Sequence, residues 1–325
     1  MPPAAPSAEF LAAFRDRAGA GGTLTFAEFM ELALYHPVLG YYRGTRRRVG
    51  YGTGTDFFTA STSGPVFGSL IAAAATRLLA GQPGRDFTFV EIGAEPGGSV
   101  LDGVDHPFGA TRTLRLSDPL ELAGPCVVFS NELFDAQPFR RFVFRGPAWR
   151  ELGVELREGA CVEIELATVA PAELPPSAPE GYVVDAPLAA AALAARIAAQ
   201  PWRGLFLACD YGKSWRELVE ATPAGTARAY SRHTQSNDLL AQPGEQDLTC
   251  HICWDWVAER LVAAGFSAPV VESQESFFIQ HAADYIAPTL LAEAARFSPV
   301  KQSLIQLLHP SHLGRKFQVL HARRP

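Results

Sequence analysis

Three short, almost wholly apolar runs, each ending at a glycine or an acid, constrain this chain more than any other feature. They are Thr88 to Ile92 before Gly93, Cys126 to Ser130 before Asn131-Glu132, and Leu205 to Cys209 before Asp210-Tyr211-Gly212. A strand that is apolar at successive positions leaves neither face for water, the pattern of parallel strands covered on both sides by helices. Leu114 and Leu116, alternating around Arg115, mark a further strand. Ala186 to Ala199 and Trp254 to Ala264, the latter stopped by Gly265, carry helical spacing. This alternation predicts an α/β fold with a doubly wound, mostly parallel Rossmann-like sheet, whose ligands gather at the carboxyl ends of the strands.

The flanking regions read differently. Glu9 to Ala18, Phe26 to Leu34 and Val66 to Leu79 have helical spacing, and Thr25 with Glu28 forms a capping box, so the first 80 residues are expected to be mostly helical. From Arg140 to Val169 the apolar positions alternate, with Gly146 and Gly159 at turns, predicting antiparallel hairpins closed by the Pro-rich stretch Pro171 to Pro179. Ser276 to Ile279 and Phe317 to Leu320 are the last strand candidates. The expected domains are a helical N-terminal region over 1–80, an α/β domain over 81–139 and 181–325, and an inserted β-subdomain over 140–180.

Composition excludes several functions. With 325 residues, 48% hydrophobic and 19% charged, the chain has material for a core that needs no disulfides. A net charge of -6 and no long Lys/Arg stripe argue against nucleic acid as a partner. Arg46-Arg47-Arg48 reads as a solvated loop or, alternatively, as a group steering an anionic ligand. The five cysteines, Cys126, Cys161, Cys209, Cys250 and Cys253, are scattered with no secretory signal before them, which predicts a reducing, cytoplasmic setting. Cys250-His251-Ile252-Cys253 has the spacing of half a zinc site, but nothing answers it and no metal is expected. The longest apolar stretch, Ala189 to Ala199, falls short of the ~20 residues that span a membrane, so no membrane role is expected.

Several segments taken in order carry a resemblance. These are Phe29-Met30-Glu31-Leu32-Ala33-Leu34-Tyr35-His36-Pro37 with Gly40-Tyr41-Tyr42; Asp56-Phe57-Phe58-Thr59 with Phe67-Gly68; Val90-Glu91-Ile92-Gly93-Ala94; Asn131-Glu132-Leu133-Phe134-Asp135-Ala136 with Pro138; and Asp210-Tyr211-Gly212. Pro243-Gly244-Glu245-Gln246-Asp247-Leu248-Thr249 extends the series. In this order they resemble the MidA family of class I S-adenosylmethionine (SAM) methyltransferases. Mitochondrial members of that family are complex I assembly factors that methylate an arginine of a partner. The resemblance implies a methyltransferase fold, SAM as cofactor, and a protein side-chain nitrogen of a partner as acceptor; oligomeric state is not implied.

It also implies roles. Glu91, Gly93 and Gly97 would hold the cofactor, with Asp56, Asp118 and Asp210 beside it. Asn131, Glu132 and Asp135 would form the acceptor side. A carboxylate suits an arginine acceptor because it matches the guanidinium fork. The bland readings stay open: Asn131 as a helix cap, Asp118 as a loop carboxylate, Asp210 as a turn residue, and Glu245 to Asp247 as caps of a following helix.

Two departures bear on activity. Where relatives read Gly-Ala-Gly-x-Gly, this chain has Gly93-Ala94-Glu95-Pro96-Gly97, placing a carboxylate toward the cofactor's own. Like charges at ~4 Å cost about 1 kcal/mol even in water, so weak or absent SAM binding is expected. The segment from Gly98 to Leu114 is also too short for a helix and another strand, so one βα unit is expected to be missing, with Leu114 taking its place beside Thr88 to Ile92. A SAM-dependent methyltransferase and a catalytically silent binding or assembly factor both fit. Asp56, Asn131, Glu132, Asp135 and Asp210 are expected to converge at the carboxyl edge of the sheet.

Overall fold

The computed structural model describes residues 6–43, 60–295 and 298–325, and all of their side chains except those of residues 61 and 62. The chain divides into two compact units. One comprises Met1–Phe57, Asp135–Ala191 and Lys213–Cys253; the other comprises Phe58–Phe134, Ala192–Gly212 and Trp254–Pro325.

The second unit is the sheet unit. Its helices are α1 (Pro65–Leu78), α2 (Trp254–Ala263), α3 (Gln274–His281), α4 (Ala283–Ala292) and α5 (Pro299–Leu308). Its strands are β1 (Thr88–Ile92), β2 (Ala110–Leu114), β3 (Gly124–Asn131), β4 (Trp202–Asp210), β5 (Val270–Ser273) and β6 (Gln318–Arg324). They form a six-stranded sheet in the order β5-β6-β4-β3-β1-β2. The four strands from β4 to β2 are parallel, and β6 and β5 add an antiparallel edge. The mostly parallel α/β sheet expected from the apolar runs is therefore present. Phe129 of β3 lies 6.3 Å from Phe67 of α1 and 5.8 Å from Phe89 of β1, measured between ring centroids, and all three are buried.

Between Ile92 and Ala110 the described chain contains only turns, and β2 pairs directly with β1, Leu114 opposite Ile92. Gly68 lets α1 press on this connection: a Cβ there would lie 2.0 Å from the Val100 carbonyl oxygen. The expected strand at Ser276 to Ile279 is instead part of α3. Ser273 Oγ accepts the Ser276 N–H at 3.2 Å and caps the helix, so a short apolar run that fits either period is committed to the helical one.

The first unit is built on antiparallel pairs. Arg140–Arg145 pairs with Ala148–Arg157, which pairs with Ala160–Leu166, as the alternation predicts. The N-terminal helices Ala8–Ala18 and Phe26–Tyr35 belong with these hairpins. Thr23–Thr25 pairs with Ala148–Arg157, and Phe26 stacks on Phe139 at 5.1 Å. The capping box at Thr25 and Glu28 is formed. The sequence-based partition is thus redrawn: the first two helices join the hairpins, Pro65–Leu78 joins the sheet, and 213–253 leaves the α/β domain. The cause is long-range, since an apolar helix face does not encode which partner covers it. Glu245 to Asp247 do not cap a helix either, because Asp247–Thr249 is a strand paired with Arg228–Ser231. Buried Asp185 organises this unit, accepting from Arg141 Nη1 at 2.5 Å, Thr226 N at 2.6 Å and Ala227 N at 2.8 Å.

Candidate functional site

Parallel register brings three strand ends side by side. Ile92 lies opposite Ser130, and Asn131 opposite Cys209, so Gly93, Asn131-Glu132 and Asp210 meet at one carboxyl edge. Glu91, next to last in β1, is buried. Its Oε2 accepts from Ser99 Oγ and from Val100 N, each at 2.8 Å, which folds the connection back onto the strand. Burial pushes the Glu91 carboxyl above the usual carboxylate range, against the pull of those two hydrogen bonds. Gly93 and Gly97 both adopt φ +83, a region that L side chains rarely enter. A Cβ on Gly97 would meet nothing within 4 Å, whereas one on Gly93 would strike Leu133.

Beside this turn is an open recess of about 390 Å³ bordered by Gly97, Gly98, Ser99, Asp102, Thr113 and Arg115. Arg115, the first residue past β2, donates to the Gly98 carbonyl at 3.2 Å and to Thr113 Oγ1 at 3.0 Å. Asp118 is exposed and accepts the Arg115 N–H at 2.8 Å, while Asp102 accepts the Ser99 N–H at 2.8 Å. Both carboxylates therefore close turns of their own loops.

The opposite side of the edge is formed by the end of β3. Glu132 sits at φ +50, and its N–H donates to the Cys209 carbonyl at 3.0 Å. Asn131 Nδ2 donates to Glu132 Oε1 at 3.0 Å, which orients the amide and turns Oδ1 the other way. Asn131 Oδ1 is buried and has no hydrogen-bond partner among the described residues, as does Ser130 Oγ. Asp210 is fully buried. Its Oδ2 accepts the Phe134 N–H and its Oδ1 the Tyr211 N–H, both at 2.9 Å, tying the loop after β3 to the end of β4. Burial, together with the charges of Asp210 and Glu132, pushes the Cys209 thiol well up, so it remains protonated.

Of the residues singled out from sequence, Glu91, Gly93, Gly97, Asn131, Glu132 and Asp210 share this edge, with Asp118 on the loop past β2. Asp135 lies in the other unit, buried, where its carbonyl accepts from Cys250 N at 2.9 Å. There burial first, and then the charges of Asp247 and Asp135, push up the phenols of Tyr35 and Tyr42, and Tyr42 donates to Asp247 Oδ1 at 2.8 Å. Asp56 and Arg46-Arg47-Arg48 lie outside the described residues. Cys250 and Cys253 are buried and form no disulfide among the described residues, and burial lowers the intervening His251 to about 4. Sequence reasoning missed Ser99, Leu133 and Arg115. Only Arg115, placed directly after a strand, left a signal.

A glycine turn beside Glu95, an acceptor without a partner among the described residues and a glutamate with left-handed backbone thus lie along one edge of a mostly parallel, Rossmann-like sheet. Residues 111–271 match the family model described as "Putative S-adenosyl-L-methionine-dependent methyltransferase". The chain is similar to the proteins named protein arginine methyltransferase NDUFAF7, mitochondrial, from Xenopus laevis and Danio rerio. Each is 24% identical, over 91% of this chain and 80% of the frog protein, and over 92% of this chain and 83% of the fish protein. Among solved structures, a COG1565 superfamily member from Burkholderia thailandensis bound to S-adenosyl-homocysteine superposes with a TM-score of 0.83 at 26% identity. That match covers 99% of this chain and 95% of the other. These matches support a MidA-type SAM-dependent methyltransferase. No helix among the described residues is long and apolar enough to cross a membrane. The expected cytoplasmic location finds no support, because both animal relatives are named mitochondrial.

Proposed function

We propose that this chain transfers a methyl group from SAM to a side-chain nitrogen of a partner protein, an arginine guanidinium being the acceptor. The observation that carries this reading is Asn131 Oδ1, a buried acceptor without a partner among the described residues, fixed beside the Glu132 carboxylate. An amide oxygen and a carboxylate side by side match the forked donors of a guanidinium. The left-handed backbone at Glu132 supports the same reading, because strain at a non-glycine residue is retained chiefly where function requires the placement.

The residues present fit the cofactor. Gly93 and Gly97 have the backbone that a close approach requires, and the space at Gly97 is open. Glu91 would hold this turn in shape through Ser99 and Val100. When bound, SAM supplies a methyl group activated by its sulfonium. On the acceptor side, Asn131 Oδ1 would take one N–H of the guanidinium, and Glu132 would orient the attacking nitrogen and receive the proton it loses at a carboxylate oxygen. Asp210 would act as a positioning residue through the loop it holds, and Asp118 through the Arg115 turn. Asp56 and Asp135 enter the proposal through the family resemblance alone. Glu95, with Pro96 beside it, opposes the cofactor's carboxylate and would weaken affinity.

A second reading, a silent binding factor, is favoured by Glu95 and by the turn-only connection between β1 and β2. Calorimetric titration with SAM and S-adenosyl-homocysteine, followed by transfer of labelled methyl to protein, separates the two. Saturable binding with label recovered as methylarginine, lost in Glu132→Gln, supports the enzyme. Binding without transfer, or no binding at millimolar ligand, supports the silent factor.

A further inference from the structure

Away from the strand ends of the sheet, three potential ligands converge from three elements of the same unit. Glu272 lies on β5, His281 is the last residue of α3 and His321 lies on β6, and their ligand atoms all fall within 4.8 Å of one another. Both imidazoles present Nε2 to the same oxygen, Glu272 Oε2, at 3.0 Å from His281 and 3.1 Å from His321. The other carboxylate oxygen faces the Ser276 hydroxyl at 3.4 Å, and that hydroxyl accepts from Gln280 Nε2 at 2.8 Å. Phe277 covers one side, its ring centroid 5.1 Å from that of His281 and 5.7 Å from that of His321. The three side chains retain 11–19% of their exposure, so a small solute can reach them.

We propose that Glu272, His281 and His321 bind a divalent transition-metal cation of the zinc type. Ligand atoms held about 2.0–2.2 Å from such a cation stand roughly 2.9–3.5 Å from each other in octahedral or tetrahedral shells. The two Nε2 to Oε2 separations fall in that range. Two imidazoles and a carboxylate are a donor set that leaves a further coordination position open. Ser276 and Gln280 supply the outer hydrogen bonds that orient a ligating carboxylate. The bound ion would tie the β5–β6 edge to the end of α3. None of these residues takes part in the proposed methyl transfer, so the site stands independently of that reading. A hydrogen-bonded trio without metal is the competing outcome.

The test uses the full chain stripped of metal, titrated with Zn2+ by calorimetry and with Co2+ by visible absorption. The expected result is one equivalent of either ion, a Co2+ spectrum without the thiolate charge-transfer bands that Cys250 or Cys253 would produce, and affinity at least about tenfold weaker in Glu272→Gln and His281→Ala. Circular dichroism checks the fold of each variant. Should His281→Ala fail to fold, the near-isosteric Glu272→Gln decides. Absence of binding in the natural protein, thiolate-type absorption, or unchanged affinity in a folded variant overturns the proposal.

Discussion

Leu133 closes on Gly93: a Cβ built on that glycine would lie 2.8 Å from Leu133 Cδ1, and the glycine itself is at φ +83. The turn after β1 and the loop after β3 thereby share a volume with no room for a side chain at position 93. Gly93→Ala should cost about 1–3 kcal/mol from backbone strain, with a steric part added. Urea unfolding measures the loss, and adding Leu133→Ala should return only the steric part. Equal losses with and without Leu133 would show that the contact contributes nothing.

Glu91 links the same turn to pH. Its carboxyl is raised in the folded protein by burial, so its contribution to stability is fully present below the unfolded carboxylate range and is lost as pH rises through the folded value. Glu91→Gln does not titrate, and its amide oxygen can accept the same two donors. The variant should therefore gain on the natural protein as pH rises from about 4 to 7. A stability difference that stays flat across this interval in thermal unfolding would contradict the assignment.

At Glu132, conformation and chemistry can be separated. Glu132→Gly removes the left-handed penalty and should be about 1 kcal/mol more stable than Glu132→Ala. Both should lose capture of an arginine-bearing partner. Glu132→Gln keeps the shape, so its unfolding midpoint should stay close to natural while methyl transfer to arginine falls by two orders of magnitude or so. Transfer at the natural rate would remove the guanidinium role and leave the fold untouched.

Glu95 provides the cofactor-side test. Removing a like charge at ~4 Å is worth about 1 kcal/mol or more, so Glu95→Gly should tighten SAM binding at least about fivefold by calorimetry. Affinity that is already micromolar and indifferent to the substitution would show that Glu95 points elsewhere.

In the hairpin unit, Asp185 accepts three hydrogen bonds, one of them from the Arg141 guanidinium. Asp185→Asn leaves that guanidinium without its buried partner charge and should destabilise the protein by about 3–5 kcal/mol in denaturant unfolding. A loss below 1 kcal/mol would mean that Glu163, 3.2 Å from Arg141 Nε, suffices.

Periodicity made most elements legible. The apolar runs at 88–92, 126–130 and 205–209 are strands because a strand covered on both faces is apolar at nearly every position, Glu91 being admitted where Ser99 and Val100 satisfy its carboxyl. Thr25 with Glu28 reads as a cap because the donors it satisfies are a few residues away. Ser276 to Ile279 failed for the complementary reason: so short a segment fits both periods, and the deciding bond comes from Ser273. Within the site, Gly93, Asn131 and Glu132 follow an apolar run and Glu91 lies inside one, but their proposed roles came from the family resemblance and not from those positions. Leu133 against Gly93 could not be found, since nothing local marks which side chain will fill a glycine's missing volume. The same holds for the His281, His321 and Glu272 trio, whose members are too far apart in sequence to form a motif.

What the sequence determined by itself is therefore the central parallel strands, most of the helices in the first 80 residues and the hairpins after Arg140, together with the edge where the parallel strands end, because periodicity and capping act over a few residues. The tertiary structure decided three further matters. The N-terminal helices joined the hairpins, Asp210 became a clamp for the Phe134 backbone, and Asn131 Oδ1 was left buried without a partner among the described residues. Each depends on which distant surface excludes water from which group, and that choice belongs to the whole chain rather than to any segment of it.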